Sequence, residues 1–232
     1  NCGYARSLGF RLCNGAYAPN GVAEYTVMAI LMCIRKFKKA LYNTNDNDFT
    51  LKGKMGRELR TMTVGVMGTG KIGYTVIKCL SGFGCRIIAN DVYENDAVRA
   101  YAEYVDLDTL YRESDIITIH TPLLPETTGM IDREAIAKMK DGVIILNNSR
   151  GQMVVEQDLA DALNSGKVAF AGLDVVSTEP IRADNPLLTA KNCIITPHMS
   201  WGSQGSRQRI MDCTVNNIRA FLSGAPENVV NP

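Results

Sequence analysis

Charge of one sign is not in excess: 25 lysines and arginines face 24 aspartates and glutamates, a formal net charge of +1. Basic stripes, amphipathic basic helices and acidic tails are missing, which argues against a nucleic-acid or membrane-surface partner. Long hydrophobic runs are missing as well. The longest, over residues 22–34, is interrupted by Glu24 and Thr26 and falls short of the roughly 20 apolar residues that a membrane span requires. No signal-peptide pattern is visible. The cysteines, Cys2, Cys13, Cys33, Cys79, Cys85, Cys193 and Cys213, show no CxxC spacing. Several fall in apolar runs, where cysteine behaves as a small hydrophobe, so a reducing, cytoplasmic setting is expected. Internal repeats and low-complexity segments are also lacking. Apolar residues are plentiful: 46% of 232 residues are hydrophobic, enough for a sizeable core and one to two domains.

The stretch richest in chemistry is Thr63-Val-Gly-Val-Met67, then Gly68-Thr-Gly70-Lys71-Ile72-Gly73, with Asp91 farther on. The pattern predicts a strand, a three-glycine turn and a helix start, which together present backbone N–H groups at a positive helix end to a diphosphate. Gly68 permits the tight turn, Gly70 lets phosphates approach the backbone, and Gly73 lets the helix pack closely on the strand. A second strand, over 85–89, ends just before Asp91, whose carboxylate can accept hydrogen bonds from an adenosine ribose. Glycines that served only a turn, with Asp91 a solvated loop acid, would not need this order of strand, glycines, helix and acid. No basic residue directly follows Asp91, and a carboxylate there repels a ribose 2′-phosphate. NAD is therefore expected in preference to NADP.

Asn20, after Pro19, reads as the cap of a helix from Gly21 to about Ala40, apolar nearly all round in its first half. Its end carries Arg35, Lys36, Lys38 and Lys39, favourable at a negative helix terminus. The polar residues 43–48 read as a surface connection. Beyond the first βαβ unit, strands are expected over 115–120, 143–147, 168–173 and 193–196, with helices over 133–138, 156–165 and about 203–222. Strands made of continuous β-branched runs belong to a parallel sheet covered on both faces, so the fold class is α/β with a doubly wound parallel sheet.

In such sheets the ligand sits beyond the carboxyl ends of the strands. The residues there are His120-Thr121-Pro122, Asn147-Asn148-Ser149-Arg150-Gly151, Asp174 with Glu179 after it, and Pro197-His198. A surface arginine, a loop glutamate or a lone histidine is by itself unremarkable, but an arginine, a carboxylate and a histidine along one edge are not. Reduction of a carbonyl flanked by a carboxylate requires this set beside a nicotinamide. Arginine grips a carboxylate bidentately and polarises the adjacent carbonyl. Histidine protonates the developing alkoxide, and a neighbouring glutamate favours the imidazolium.

Four segments together resemble the D-isomer-specific 2-hydroxyacid dehydrogenases, and the resemblance covers nearly the whole chain. They are Asn14-Gly-Ala-Tyr-Ala-Pro-Asn-Gly-Val-Ala-Glu24; the glycine turn; Asn147-Asn-Ser-Arg-Gly151 with Leu173-Asp-Val175 and Thr178-Glu-Pro180; and Thr196-Pro-His-Met199. The resemblance implies a Rossmann-type NAD-binding domain, with Arg150 binding substrate, Glu179 partnering the histidine and His198 donating the proton. It implies cofactor contacts at Gly68, Gly70, Lys71, Ile72, Gly73, Asp91, Thr121, Pro122, Thr127, Asn148, Ser149, Arg150, Asp174 and His198. His120 is expected to be structural or a cofactor wall, Tyr17 to approach substrate through its backbone, and Trp201 to line a substrate pocket. Residues 51–73 resemble the D-lactate and vancomycin-resistance branch. Asp184-Asn-Pro-Leu-Leu188 and His198-Met-Ser-Trp201 resemble glycerate dehydrogenases and hydroxypyruvate reductases.

Members of this family have a second, flavodoxin-like substrate domain. The resemblance makes residues 1–19 a remnant of it, 20–205 the NAD-binding domain with a dimerisation helix, and 206–232 the C-terminal helix and return toward the substrate domain. An opening at Asn1-Cys-Gly without methionine suggests a preceding segment. The expected protein is a homodimer that binds NAD and acts on a small 2-keto or 2-hydroxy acid, with no nucleic-acid, membrane or metal partner. A second reading stays open: a nucleotide-sensing interaction protein like the C-terminal-binding-protein corepressors, which resemble the same family.

Overall fold

The computed structural model of the chain describes residues 2–15 and 18–231, so Tyr17 lies outside the described residues. The chain divides into two compact units, Val22–Ser200 on the one hand, and Asn1–Gly21 with Trp201–Pro232 on the other.

The larger unit is built on seven parallel strands: β1 (Thr63–Met67), β2 (Arg86–Asn90), β3 (Glu103–Tyr104), β4 (Ile116–Ile119), β5 (Val143–Asn147), β6 (Val168–Leu173) and β7 (Cys193–Ile195), in the spatial order β3-β2-β1-β4-β5-β6-β7. Because side chains alternate along a strand, each apolar run supplies both faces. Val143 and Ile145 of β5 join one core with Leu110, Ile136, Leu159 and Leu163, while Ile144 and Leu146 join the other with Ile30, Val76, Ile77 and Leu80. The helices behind the first core are α5 (Leu107–Glu113), α6 (Arg133–Lys138) and α7 (Glu156–Ser165), and those behind the second are α2 (Asn20–Ile34) and α4 (Lys71–Ser81). Helices on both faces make the sheet doubly wound. The strand order reverses between β1 and β4, and in such sheets the crevice beyond that point receives the ligand.

Three readings of the sequence need correction. The single helix expected over 21–40 is two, because Lys36 adopts a left-handed φ of 51° that breaks the hydrogen-bond ladder; α3 (Phe37–Asn45) then continues into the stretch read as a surface connection. Strand β3 and helix α5 were not anticipated. Two residues are too few to show alternation, and α5 is short, held instead by Asp106, whose carboxylate accepts from the Thr109 amide at 2.8 Å. Cys33 and Cys193 are buried within the unit, and burial pushes their thiols up to about 12, in keeping with their use as small apolar side chains.

The smaller unit contains α1 (Cys2–Ser7) and α8 (Gln204–Leu222), the latter capped by Ser203, whose hydroxyl accepts from the Ser206 amide. Beyond α1 the N-terminal residues contribute a single antiparallel bridge, Cys13 to Val229. The Asn231 side chain seals that bridge by accepting from the Leu12 amide at 2.7 Å and donating to the Phe10 carbonyl at 2.9 Å. Helix α8 exposes Met211, Val215, Ile218 and Leu222, which share one stripe at this spacing. Among the described residues no helix is long and apolar enough to cross a membrane, and no cluster of side chains suits a metal ion.

Candidate active site

The glycine turn follows β1 and opens α4. Gly68 has φ +89°, and a Cβ there would stand 2.7 Å from the His120 carbonyl carbon and the Thr121 nitrogen, so the backbones leaving β1 and β4 can meet only over a glycine. Gly73 lies against the Gly68 carbonyl. A Cβ on Gly70, by contrast, would meet nothing within 4 Å, and Gly70 caps α4 without a side chain. The positive end of α4 therefore faces open space with no side-chain acceptor at its cap, which suits a diphosphate. Lys71 is exposed and Ile72 half-buried beside it. Asp91, just past β2, is partly exposed and accepts from the Thr69 amide at 2.6 Å. The residues thus fit a dinucleotide.

Beyond β4, His120 is enclosed, its Nε2 2.9 Å from the Thr118 hydroxyl and its Nδ1 without a partner among the described residues. Burial pushes its pKa down to about 4, so the ring is neutral near pH 7. Thr121 turns its hydroxyl toward the Met153 sulfur, and the Thr127 hydroxyl donates to the Pro122 carbonyl at 2.7 Å and accepts from the Leu124 amide, closing the loop between them.

The loop after β5 is pinned along its backbone. Asn147 accepts from the Ser149 amide at 3.0 Å and donates to the Arg150 carbonyl at 2.8 Å. Ser149 donates to the Ile119 carbonyl. Asn148 turns inward, buried, and donates to the Thr26 hydroxyl of α2 at 2.8 Å, so its side chain holds the loop to α2. Arg150 is exposed, its guanidinium resting on the Ser149 carbonyl at 2.7 Å. A Cβ on the next residue, Gly151, would stand 1.9 Å from the Val176 carbonyl carbon; this close approach packs the arginine loop against the segment that leads to Glu179.

Glu179 and His198 are brought together directly, with Glu179 Oε2 2.7 Å from His198 Nδ1 and both side chains 39% exposed. Glu179 is steadied by the Val176 amide, which donates to its other oxygen at 3.3 Å. His198 sits at a left-handed φ of 51°, on a turn organised by Asp174. That carboxylate is 1% exposed; one oxygen accepts from the Thr196 hydroxyl at 2.6 Å and the Met199 amide at 2.9 Å, and the other from the Ser200 amide at 2.7 Å. The Asp174 carbonyl also accepts from the His198 amide, so Asp174 grips the histidine turn on both sides. An apolar cavity of about 670 Å³ adjoins the pair, walled by Val176, Ile181, Leu188 and Ile195. Sequence reasoning missed the supporting residues Thr26 and Thr69, and the anchoring roles of Asn147 and Thr196.

A doubly wound parallel sheet with a glycine turn at its switch point and an acid after the second strand defines a dinucleotide-binding domain. Residues 27–200 match the family model "D-isomer specific 2-hydroxyacid dehydrogenase, NAD binding domain". The chain is 59% identical over 175 residues to a hydroxypyruvate reductase of Blautia hydrogenotrophica (75% of this chain, 54% of the relative). It is 40% identical over 240 residues to an aromatic 2-oxoacid reductase of Clostridium sporogenes (97% and 72%). The structure of a D-lactate dehydrogenase from Aquifex aeolicus, complexed with NAD and lactic acid, superposes with a TM-score of 0.91 at 33% identity and covers 99% of this chain and 75% of that one. The chain belongs to the D-isomer specific 2-hydroxyacid dehydrogenase family, and NAD is the cofactor of its domain. It spans a little over half the length of the Blautia relative and nearly three quarters of the Clostridium one.

Proposed function

We propose that this protein is an NAD-dependent oxidoreductase that interconverts a small 2-oxo acid, pyruvate- or hydroxypyruvate-like, and the corresponding D-2-hydroxy acid. The observation that carries the reading is the 2.7 Å bond between Glu179 and His198 Nδ1, two strand ends from Arg150. That bond orients the imidazole, and in this reading Nε2 is the atom that exchanges a proton with a substrate. Arg150 pairs with the substrate carboxylate by swinging off the Ser149 carbonyl, a neutral partner that a carboxylate outcompetes. NADH, when bound, supplies the hydride. Gly68, Gly70, Lys71, Ile72 and Gly73 hold the diphosphate, Asp91 the adenosine ribose, and Thr121, Pro122, Thr127 and Ser149 line the nicotinamide side, with the buried Asp174 near it. NADH oxidation followed at 340 nm with pyruvate, hydroxypyruvate and 2-ketoisocaproate tests the reading. The expected result is turnover of at least one of them with NADH and much less with NADPH; equal use of both cofactors would refute the role given to Asp91.

The assembly we propose is a homodimer in the cytoplasm. Helices α2 and α3 and the segment after them enclose an apolar cavity of about 850 Å³ between Met28, Leu31, Phe37, Phe49 and Leu51, and Phe49, Leu51 and Met55 are largely exposed. Such a patch is uncommon on a monomer. Sedimentation is expected to give twice the chain mass, and Phe49→Asp to shift it toward one; a concentration-independent monomer for the unaltered chain would count against it. Residues 1–19 are, in this reading, a remnant of a flavodoxin-like substrate domain, and residues 206–232 the C-terminal helix and return toward it, for which the exposed stripe of α8 supplies a packing face. The seven cysteines are all free, which supports a reducing compartment.

A further inference from the structure

The acid after β2 does not stand alone. Its Oδ2 accepts from the Thr69 amide at 2.6 Å and from the Thr69 hydroxyl at 3.1 Å. The Tyr104 hydroxyl, from the edge strand β3, donates to Thr69 Oγ1 at 2.7 Å and accepts from the Asn95 amide at 2.8 Å. The direction of this chain is fixed at both ends. A backbone N–H can only donate, so the tyrosine oxygen accepts from Asn95 and passes its own proton to Thr69; the threonine must then pass its proton on, and a carboxylate can only accept. Thr69 is 1% exposed, and the Arg99 guanidinium lies 5.3 Å from the centre of the Tyr104 ring, so both hydroxyls are held in place. Oδ2 is thereby saturated from the glycine turn. Oδ1 takes the Tyr93 amide at 3.1 Å and keeps lone pairs for a ligand.

We infer that Tyr104 and Thr69 are positioning residues for adenosine-ribose recognition: the Asn95–Tyr104–Thr69 relay sets the rotation of the Asp91 carboxylate and so sharpens discrimination between a ribose diol and a ribose 2′-phosphate. This rests on the reading that Asp91 receives the ribose. The hydroxyls of both residues are spent within the relay, so the effect is on the orientation of Asp91. A mobile carboxylate makes poorer bonds to the diol and is less able to present its charge to a phosphate.

The test is fluorescence titration of NADH and NADPH against the unaltered protein, Tyr104→Phe, Thr69→Val and Thr69→Ser. Tyr104→Phe removes only the hydroxyl at the head of the relay and Thr69→Val only the hydroxyl in its middle. Each is expected to weaken NADH binding by about 3- to 10-fold, the scale of one net hydrogen bond, while leaving the weaker NADPH affinity unchanged or improved, so that the preference ratio falls. Thr69→Ser, which keeps the hydroxyl, should restore the ratio. Unchanged NADH affinity in Tyr104→Phe, or equal weakening for both cofactors, would overturn the relay, the second because it marks a general loss of structure. Absence of any NADH preference in the unaltered protein would overturn the reading of Asp91 and the relay with it.

Discussion

Replacing His198 by alanine in an active form of the protein is expected to lower kcat for 2-oxo acid reduction by about 10²- to 10⁴-fold, the usual contribution of a positioned general acid. Glu179 holds the His198 imidazole through Nδ1 at 2.7 Å, whereas desolvation leaves the other histidine of this edge, His120, neutral near pH 7, its pKa pushed down to about 4. Glu179→Gln should cost less, because an amide can still orient the ring through one oxygen but does not stabilise the imidazolium. Arg150→Lys should act elsewhere, raising KM for the keto acid, because a point charge replaces a two-pronged fork. Combining the histidine and arginine changes should cost less than the product of the single effects if the groups work as a unit. Steady-state kinetics across the three variants decides the matter, and undiminished turnover by His198→Ala would remove the proton-donor assignment.

The sheet was legible because its signal is local. The runs Thr63–Met67, Val143–Asn147 and Val168–Leu173 are apolar, and the structure places strands over those residues. The residues that follow such strands are forced to the ligand edge by topology alone, so Arg150, Glu179 and His198 could be named before any coordinates. What could not be read were hydrogen bonds between residues far apart in the chain. Thr26 holds Asn148 from 122 positions away; the sequence shows it as a polar interruption of the apolar run of α2, but nothing local tells which residue its hydroxyl meets. Thr69 occupies the variable position of the glycine turn, and Tyr104 lies in a two-residue strand, so neither carries a pattern of its own. The break at Lys36 was illegible for the opposite reason: both flanking segments have good helix formers, and local propensity gave no sign of a left-handed residue between them.

Asp174→Asn is expected to be the most damaging isosteric change in the domain, destabilising it by about 2–4 kcal/mol and depressing turnover in the same variant. The carboxylate accepts three hydrogen bonds while 1% exposed: Thr196 and Met199 on one oxygen, Ser200 on the other. An amide cannot satisfy this arrangement in either orientation. With its NH2 toward Ser200 it confronts that backbone N–H, and when flipped it confronts the N–H of Met199, so a donor faces a donor at a side chain that is 1% exposed. The strain falls on residues 196–200, the segment that holds His198 at its left-handed φ of 51°, so the loss of stability and the displacement of the histidine have one cause. Thr196→Val should show the same pair of effects at smaller size, since it removes one donor and leaves both amides paired. Urea unfolding gives the stability change and kcat/KM the functional one. An Asp174→Asn protein with an unchanged unfolding midpoint would refute the first, while one that is destabilised yet turns over at the original rate would show that the carboxylate supports the fold without setting the position of His198.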